Sequence, residues 1–238
     1  MNLTSEIGCQ QKPDIRFRSP SINTIRREKR LDTSDVRGLL GLLLVDGSLV
    51  PYRSPGGGYV QLTLTAGSKQ ATFLEEKVEE FKQFVPTRAL ITPYKTTPRA
   101  NGKRTKVLRF RVSSNKLRPL YNLLYPGGER CITQTALDLL GAQAAAWCWA
   151  EGARIHKDGT ANLARVGATR AEAGRLQSWL EMLTGAQSEL VDGRTRPRLL
   201  FDKEQTAKIR AALASYAPRT RIHLFQGDIP DVSEIRSA

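Results

Sequence analysis

Two acidic residues, each followed by glycine, end long apolar stretches in the two halves of the chain. Asp46 closes LLGLLLVDG (residues 39–47), and Glu151 closes AAAWCWAEG (residues 144–152). We expect each acid at the carboxyl end of a buried helix, where the helix dipole disfavours it by about 0.3–1 kcal/mol. Two such carboxylates side by side repel each other, whereas Mg²⁺ binds carboxylate oxygens readily. The pair is therefore a candidate metal site for phosphodiester hydrolysis.

Each acid also has a plainer interpretation. Asp46 alone would be read as the cap of a helix, and Glu151 as a solvated residue at a helix end. The occurrence of both acids at equivalent points of a repeated layout favours the metal-binding interpretation.

The elements that must position these acids follow the same order twice. In the first half, the patterns predict a helix over 33–46, strands in SLVPYR and YVQLTLTA, a helix over 69–85, strands in LITPYKT and KVLRFRV, and a helix over 115–125. In the second half, they predict a helix over 134–151, strands in ARIHKDG and ANLARVG, a helix over 170–183, strands in SELVDGR and RPRLLFD, and a helix over 203–216. The fold class is therefore α+β, with two pseudo-symmetric α-β-β-α-β-β-α repeats.

Small residues suggest how the two apolar helices meet. Gly41 in the first helix and Ala146 and Ala150 in the second allow close backbone approach, which brings the two acids together. We expect four segments along the chain: a flexible basic N-terminal arm (1–32), a first repeat (33–130), a second repeat (131–225) and a C-terminal tail (226–238).

Composition points to a polyanionic partner. The chain has 37 Lys and Arg against 23 Asp and Glu, a net charge of +14, so nucleic acid is the first expectation and an anionic membrane surface the second. No apolar stretch approaches the roughly 20 residues needed to span a bilayer. Three cysteines without a C-x-x-C pair indicate a reducing, intracellular setting, either a bacterial cytoplasm or an organelle. Two histidines argue against a His/Cys zinc site.

Basic and polar residues alternate with apolar ones along the predicted strands. No acid occurs between Phe81 and Gly128, and Arg, Gln and Thr are residue types that contact base edges and phosphates. A solvated basic face is the alternative. The candidate DNA-binding residues are Arg53, Gln61, Thr63, Lys95, Arg99, Lys103, Arg104, Lys106, Arg109, Arg111, Arg154, His156, Lys157, Arg165, Arg194, Arg196 and Arg198.

The stretch LLGLLLVDG resembles the LAGLIDADG signature of homing endonucleases. Leu39, Gly41, Leu42, Asp46 and Gly47 match it in register. The second stretch keeps Ala145, Ala150 and Gly152, with Ala146 in place of the glycine. The resemblance extends over about residues 31–225. It implies two antiparallel sheets that form a DNA-binding saddle, with the motif helices at the central interface.

The resemblance also implies roles for individual residues. Asp46 and Glu151 would bind the catalytic metal, Mg²⁺ or Mn²⁺. Glu151 replaces the usual aspartate and is longer by one methylene; the family tolerates glutamate at this position, so activity is expected. Members of the family carry basic residues near the metals, and by position after the last helix of each half Arg130 and His223 are the candidates.

The expected function is therefore a monomeric, site-specific homing endonuclease that makes metal-dependent double-strand breaks in a long DNA target. The first alternative is a LAGLIDADG-derived RNA maturase, with intron RNA as its partner, or a DNA-binding protein that does not cleave. A further alternative is a basic RNA-associated protein whose apolar helix is only core, which predicts that residues 46 and 151 lie far apart.

Overall fold

The computed structural model of the chain describes residues 33–54, 57–96 and 105–226. The predicted N-terminal arm (1–32) and residues 227–238 of the predicted tail lie outside the described residues. Three of the candidate DNA-binding residues, Arg99, Lys103 and Arg104, lie outside them as well.

The first half folds as a helix followed by two hairpins with a helix between them. Its elements are α1 (Thr33–Leu43), β1 (Ser48–Ser54), β2 (Gly57–Ala66), α2 (Ala71–Phe84), β3 (Thr92–Lys95), β4 (Lys106–Ser114) and α3 (Arg118–Leu124). The four strands form one antiparallel sheet in the order β1-β2-β4-β3.

The second half repeats this strand order, and three of its four strands are shorter than their counterparts. Its elements are α4 (Gln134–Leu137), α5 (Ala142–Gly152), β5 (Ala153–Ile155), β6 (Ala161–Leu163), α6 (Arg170–Thr184), β7 (Glu189–Asp192), β8 (Pro197–Phe201) and α7 (Lys203–Leu213). The sheet is antiparallel with the order β5-β6-β8-β7. The α+β class with two four-stranded antiparallel sheets is therefore confirmed.

Alternation along β2 gives the first sheet an apolar face and a polar face. Val60, Leu62 and Leu64 are buried, while Gln61 and Thr63 between them keep partial exposure. The buried face packs on α2 and the central core. Successive side chains of the strand thus point alternately to the core and to the opposite surface of the sheet.

Helices α1 and α5 pack directly against each other in the core. A Cβ atom added at Gly41 would lie 2.7 Å from the Cβ atom of Ala144 and 3.1 Å from its Cα atom. Leu39, Leu40 and Leu43 of α1 are at most 1% exposed, as expected for a helix that is apolar on nearly every side. Glycine at position 41 is what permits this close approach.

The predicted helix over 134–151 is wrong as a single helix. The chain forms α4, leaves helical geometry, and starts α5 after Gly141, whose φ of −127° and ψ of −164° are extended. Glycine is a poor helix former. The side chain of Thr133 caps α4, and the Ala145 N–H donates to the Gly141 carbonyl to begin the next helix.

Two further boundaries differ from the sequence prediction. Helix α1 ends at Leu43 rather than at Asp46, and Gly47 adopts a φ of +73° that turns the chain into β1. Arg196, predicted on a strand, lies in the turn before β8, because the Gly193 N–H donates to the Arg196 carbonyl and closes that turn.

No helix in the described ranges of the chain is long and apolar enough to cross a membrane.

Candidate active site

The packing of α1 on α5 brings the two predicted acids together. Asp46 follows the end of α1, and Glu151 lies in the last turn of α5. Their side chains are only 12% and 10% exposed. Both carboxylates contact the same two cations, so they lie within bridging reach of a common ion.

Lys77 is the enclosed cation of this group. It lies in the middle of α2, on the same buried face as Phe73, Leu74, Val78 and Phe81, and is 5% exposed. Its ammonium group donates to Asp46 Oδ2 at 2.6 Å and to Glu151 Oε2. The same nitrogen lies 4.4 Å from the centre of the Phe73 ring, within the range of a cation–π contact.

Arg165 is the exposed cation of the group. It follows β6, and its Nη1 atom lies 2.7 Å from Glu151 Oε1 and 3.2 Å from Asp46 Oδ1. The side chain of Arg165 is 48% exposed. One edge of the carboxylate pair therefore faces an enclosed lysine, and the other faces an arginine open to solvent.

Electrostatics keep Asp46 ionised. Burial by itself would raise the pKa of the Asp46 carboxyl, because a low-dielectric environment disfavours its charged form. The ammonium of Lys77, the Gly47 N–H and Arg165 outweigh burial, and the pKa of Asp46 lies below its ordinary value. Asp46 is therefore a carboxylate at neutral pH, which is the form that binds a metal ion.

Arg130 lies beside Asp46 but contacts main-chain atoms. Its guanidinium donates to the carbonyl oxygens of Gly47 at 2.6 Å, of Asp46 at 3.1 Å and of Leu43. The Leu43 carbonyl is the last of α1 and the other two belong to the turn after it, where no further helical turn supplies donors. Arg130 thus holds the segment that carries Asp46, and its donors point at the backbone instead of the carboxylates.

His223 is not one of the residues that the structure brings to the carboxylates. It lies in a 3-10 helix, Arg219–Leu224. Burial and the neighbouring Arg221 lower its pKa, so the ring is neutral at pH 7. The N–H groups of Arg219 and Thr220, at the start of this 3-10 helix, donate to the Glu76 carboxylate at 2.7 Å and 3.0 Å.

The carboxylate oxygens of Asp46 and Glu151 suit a divalent ion that takes its remaining ligands from water and from a substrate. Within the part of the chain that the structure describes, no group of three or more His, Cys, Asp or Glu could hold a metal ion. Mg²⁺, however, is commonly bound by one or two carboxylates and completes its shell with water and phosphate oxygens. The carboxylates of Asp46 and Glu151 converge on one cation already, so the pair fits such an ion.

The described candidates for DNA binding divide between strands and connecting turns. Gln61 and Thr63 lie on β2, and Thr63 is the cross-strand partner of Arg111 on β4. Gln61 donates to the Ser113 hydroxyl at 3.2 Å. The guanidinium of Arg109 lies 3.9 Å from the centre of the Tyr94 ring. These contacts pre-order a polar row along the exposed face of the first sheet.

The other described candidates are mostly exposed at strand ends and turns. The exposed ones are Arg53, Lys95, Lys106, Arg154, Lys157, Arg194, Arg196 and Arg198. His156 is partly buried, and its Nε2 atom lies 2.9 Å from Asn162 Nδ2. The roles of all these residues in DNA binding stay predictions.

Sequence reasoning missed Lys77 altogether and missed the part that Arg165 takes in this group. The signal for Lys77 was present: it interrupts the apolar face formed by Phe73, Leu74, Val78 and Phe81 at helical spacing. A lysine on such a face requires an anionic partner. The sequence does not tell which acids supply it, because one follows α1 and the other lies in α5, both remote from Lys77 in the sequence.

Comparison with known proteins supports the resemblance seen in the motif. The model of the LAGLIDADG DNA endonuclease family matches residues 37–209. The chain is similar in structure to the homing endonuclease I-WcaI bound to its DNA recognition sequence, with a TM-score of 0.67, 12% identity, and coverage of 89% of this chain and 96% of that one.

A second similar protein is the homing endonuclease I-DmoI. Its complex with DNA and Ca gives a TM-score of 0.52 at 15% identity, over 87% of this chain and 98% of that one. A single-substitution variant of I-DmoI with its target DNA in the presence of Mg gives a TM-score of 0.51 at 15% identity, over 77% and 97%. A search of the curated proteins found no match. At these identities the structural similarities show a shared fold.

Proposed function

This chain belongs to the LAGLIDADG DNA endonuclease family, and from that premise we propose that it is a homing endonuclease that cuts both strands of a long DNA target with the help of a divalent metal ion. The observation that carries the proposal is the convergence of Asp46 and Glu151. Two carboxylates from different halves of the chain, each largely buried, meet around a shared cation. The similar proteins I-WcaI and I-DmoI are described in complexes with DNA.

Asp46 and Glu151 are the residues that would hold the ion, Mg²⁺ or Mn²⁺. When bound between them, it would supply a more acidic water and positive charge for the developing phosphate anion. Similar endonuclease structures are described with Mg, Mn and Ca. Arg165 is open to solvent and contacts both carboxylates, and in this proposal it would bind the phosphate that approaches them.

The strands would hold the DNA. The polar faces of the two sheets, with Gln61, Thr63 and Arg111 in the first and Arg198 in the second, suit contact with base edges and phosphates. The net charge of +14 favours association with a polyanion. With many phosphates neutralised, the logarithm of the affinity would fall against the logarithm of the salt concentration by about 0.9 per phosphate contact.

A second candidate function is a nucleic-acid-binding protein of the same family that does not cleave. The ion pairing of Asp46 and Glu151 with Lys77 and Arg165 supports this alternative, since it gives both acids a structural part in the core. Double-stranded DNA would be the partner of a DNA-binding form, and intron RNA that of a maturase.

A library-cleavage assay tests the proposal. The full chain is incubated with Mg²⁺ and a plasmid library of randomised targets, and the cut ends are sequenced. We expect double-strand cuts at one site by the wild type, and DNA binding without cutting by Asp46→Asn and Glu151→Gln. Glu204→Gln, at an acid 72% exposed on α7, is the matched control and should cut normally.

The same assay separates the alternatives. DNA binding without cutting by the wild type would overturn the endonuclease proposal in favour of a non-cleaving DNA-binding protein. Tighter binding to structured intron RNA than to any DNA would favour the maturase.

A further inference from the structure

The ammonium group of Lys77 occupies the point on which the two carboxylates converge. It contacts one oxygen of Asp46 and one of Glu151, while Arg165 contacts the other oxygen of each. The two negative charges are therefore matched by two positive charges supplied by the chain itself.

This arrangement answers a stability problem. Two buried carboxylates without a counter-charge would destabilise the fold, because removing one partner of a buried ion pair leaves an uncompensated charge out of contact with water. Lys77 is itself in an apolar helix face and needs an anion as much as the acids need a cation. Lys77, Asp46 and Glu151 therefore stabilise one another through their opposite charges.

We infer that Lys77 is a resident counter-ion of the proposed metal site: its ammonium holds Asp46 and Glu151 together, and it must withdraw before Asp46 Oδ2 and Glu151 Oε2 can bind a divalent ion. The inference rests on the proposed function. An oxygen that accepts from Lys77 cannot at the same position coordinate Mg²⁺, because the ammonium hydrogens fill the space. The enclosed positive charge of Lys77 also repels an ion that binds the other two oxygens, on the Arg165 side, so metal binding by the protein without DNA is weak.

The Phe73 ring stabilises the ammonium of Lys77 in addition to the carboxylates. The Lys77 nitrogen lies 4.4 Å from the centre of that ring, and this cation–π contact would keep part of the stabilisation when a carboxylate contact is lost. Bound DNA would add phosphate oxygens as alternative partners. Metal binding would then depend on DNA, which restricts hydrolysis to the bound target.

Arg165 contacts the same carboxylates but is a weaker barrier. Its side chain is 48% exposed and can move into water at little cost, whereas Lys77 is 5% exposed. The structure therefore distinguishes one enclosed cation that controls the site from one exposed cation that does not.

The test measures metal binding without DNA. Purified wild-type chain and Lys77→Met are titrated with Mn²⁺ and followed by electron paramagnetic resonance, and their Tm values are measured against Mg²⁺ concentration. We expect Lys77→Met to bind Mn²⁺ roughly tenfold tighter or more. Its Tm should be lower than that of the wild type without metal and should rise steeply with Mg²⁺, whereas the wild-type Tm should change little.

Matched variants show that the enclosed position matters. Lys82 lies on the same helix and pairs with Glu79 at an exposed surface, so Lys82→Met should leave both the Mn²⁺ affinity and the Mg²⁺ response of the Tm unchanged. Arg165→Met should raise Mn²⁺ affinity less than Lys77→Met does. The double variant Lys77→Met/Glu151→Gln should regain stability without metal and lose the response to Mg²⁺.

A measurement on the wild type covers the case in which Lys77→Met does not fold. Reductive methylation followed by mass spectrometry reports the accessibility of each lysine amine. Lys77 should be protected without metal, and its labelling should rise only at Mg²⁺ concentrations high enough to shift the wild-type Tm, while the labelling of Lys82 stays unchanged.

Equal Mn²⁺ affinity in wild type and Lys77→Met, or Lys77 labelling that stays unchanged at Mg²⁺ concentrations that shift the wild-type Tm, would overturn the inference. Failure of the endonuclease proposal would appear separately, as wild-type chain that does not cut in the library assay.

Discussion

Arg130 caps the carboxyl end of α1 and the turn that follows it, because its guanidinium donates to the carbonyl oxygens of Leu43, Asp46 and Gly47. Charged hydrogen bonds of this kind each contribute about 1.5–3 kcal/mol. We expect Arg130→Met to lower the free energy of unfolding by about 3 kcal/mol, measured by urea denaturation. The control Arg219→Met, at a side chain 94% exposed, should change it by less than about 0.5 kcal/mol.

Arg130→Met also distinguishes a structural role of Arg130 from a catalytic role. If Arg130 acted at the metal, as the sequence suggested, Arg130→Met would keep its stability and lose kcat. A stable but inactive Arg130→Met would therefore contradict the capping interpretation.

Glu172 is a buried carboxylate held by main-chain donors from two segments. Its oxygens accept from the N–H groups of Ile132, Ala168 and Thr169 and from the Thr169 hydroxyl. Burial would raise the pKa of Glu172, but these hydrogen bonds lower it below its ordinary value. A carboxyl whose pKa falls on folding stabilises the protein above the unfolded pKa, about 4.3, and this stabilisation is lost as the pH falls.

We therefore expect Glu172→Gln to lower the free energy of unfolding by about 2 kcal/mol at pH 7, and the difference from wild type to shrink towards pH 3. Urea denaturation across that range measures it, with Glu181→Gln on the exposed side of the same helix as control. A difference that does not depend on pH would show that the charge of Glu172 has no part in its effect.

Between elements, the contact of α1 with α5 determines where the two acids lie. A methyl group at position 41 would lie 2.7 Å from the Ala144 Cβ atom, and such overpacking costs about 1–3 kcal/mol. We expect Gly41→Ala to destabilise the chain by that amount and Gly41→Ala/Ala144→Gly to recover part of the loss. Urea denaturation of the two single variants and the double variant measures the coupling, and strictly additive effects would contradict direct contact.

The order of helices and strands could be predicted because it rests on local patterns. Alternation in VQLTLT and helical spacing in residues 69–85 each specify an element without reference to the rest of the chain. The break at Gly141 could not be predicted in this way, because the apolar run continues through it. Only the caps at Thr133 and Gly141 divide the helix.

The two acids of the candidate site could be predicted from the sequence, whereas the two cations that pair with them could not. Asp46 and Glu151 each end an apolar run of the sequence and precede a glycine, a signal that repeats along the chain. Lys77 and Arg165 reach them from α2 and from the segment after β6, elements whose distance from the acids depends on tertiary packing. Arg130 was predicted near Asp46 by position, but the direction of its donors depends on where α1 stops.

In the molecule as a whole, the two sheets differ in length. The strands β1 to β4 have 7, 10, 4 and 9 residues, whereas β5 to β8 have 3, 3, 4 and 5. An antiparallel strand rises about 3.4 Å per residue, close to the spacing of base pairs along DNA. Under the proposed function, the first sheet would therefore specify more base pairs than the second.

Selection from a randomised DNA library with Asp46→Asn, which should bind without cutting, measures this difference. We expect one half of the selected site to be specified at more positions than the other. Arg111→Ala, on β4, should relax positions in the longer half, and Arg198→Ala, on β8, should relax positions in the shorter half, each by about 1–3 kcal/mol per base pair contacted. Two equally specified halves, or relaxation of the same half by both variants, would show that strand length does not determine how the target is divided.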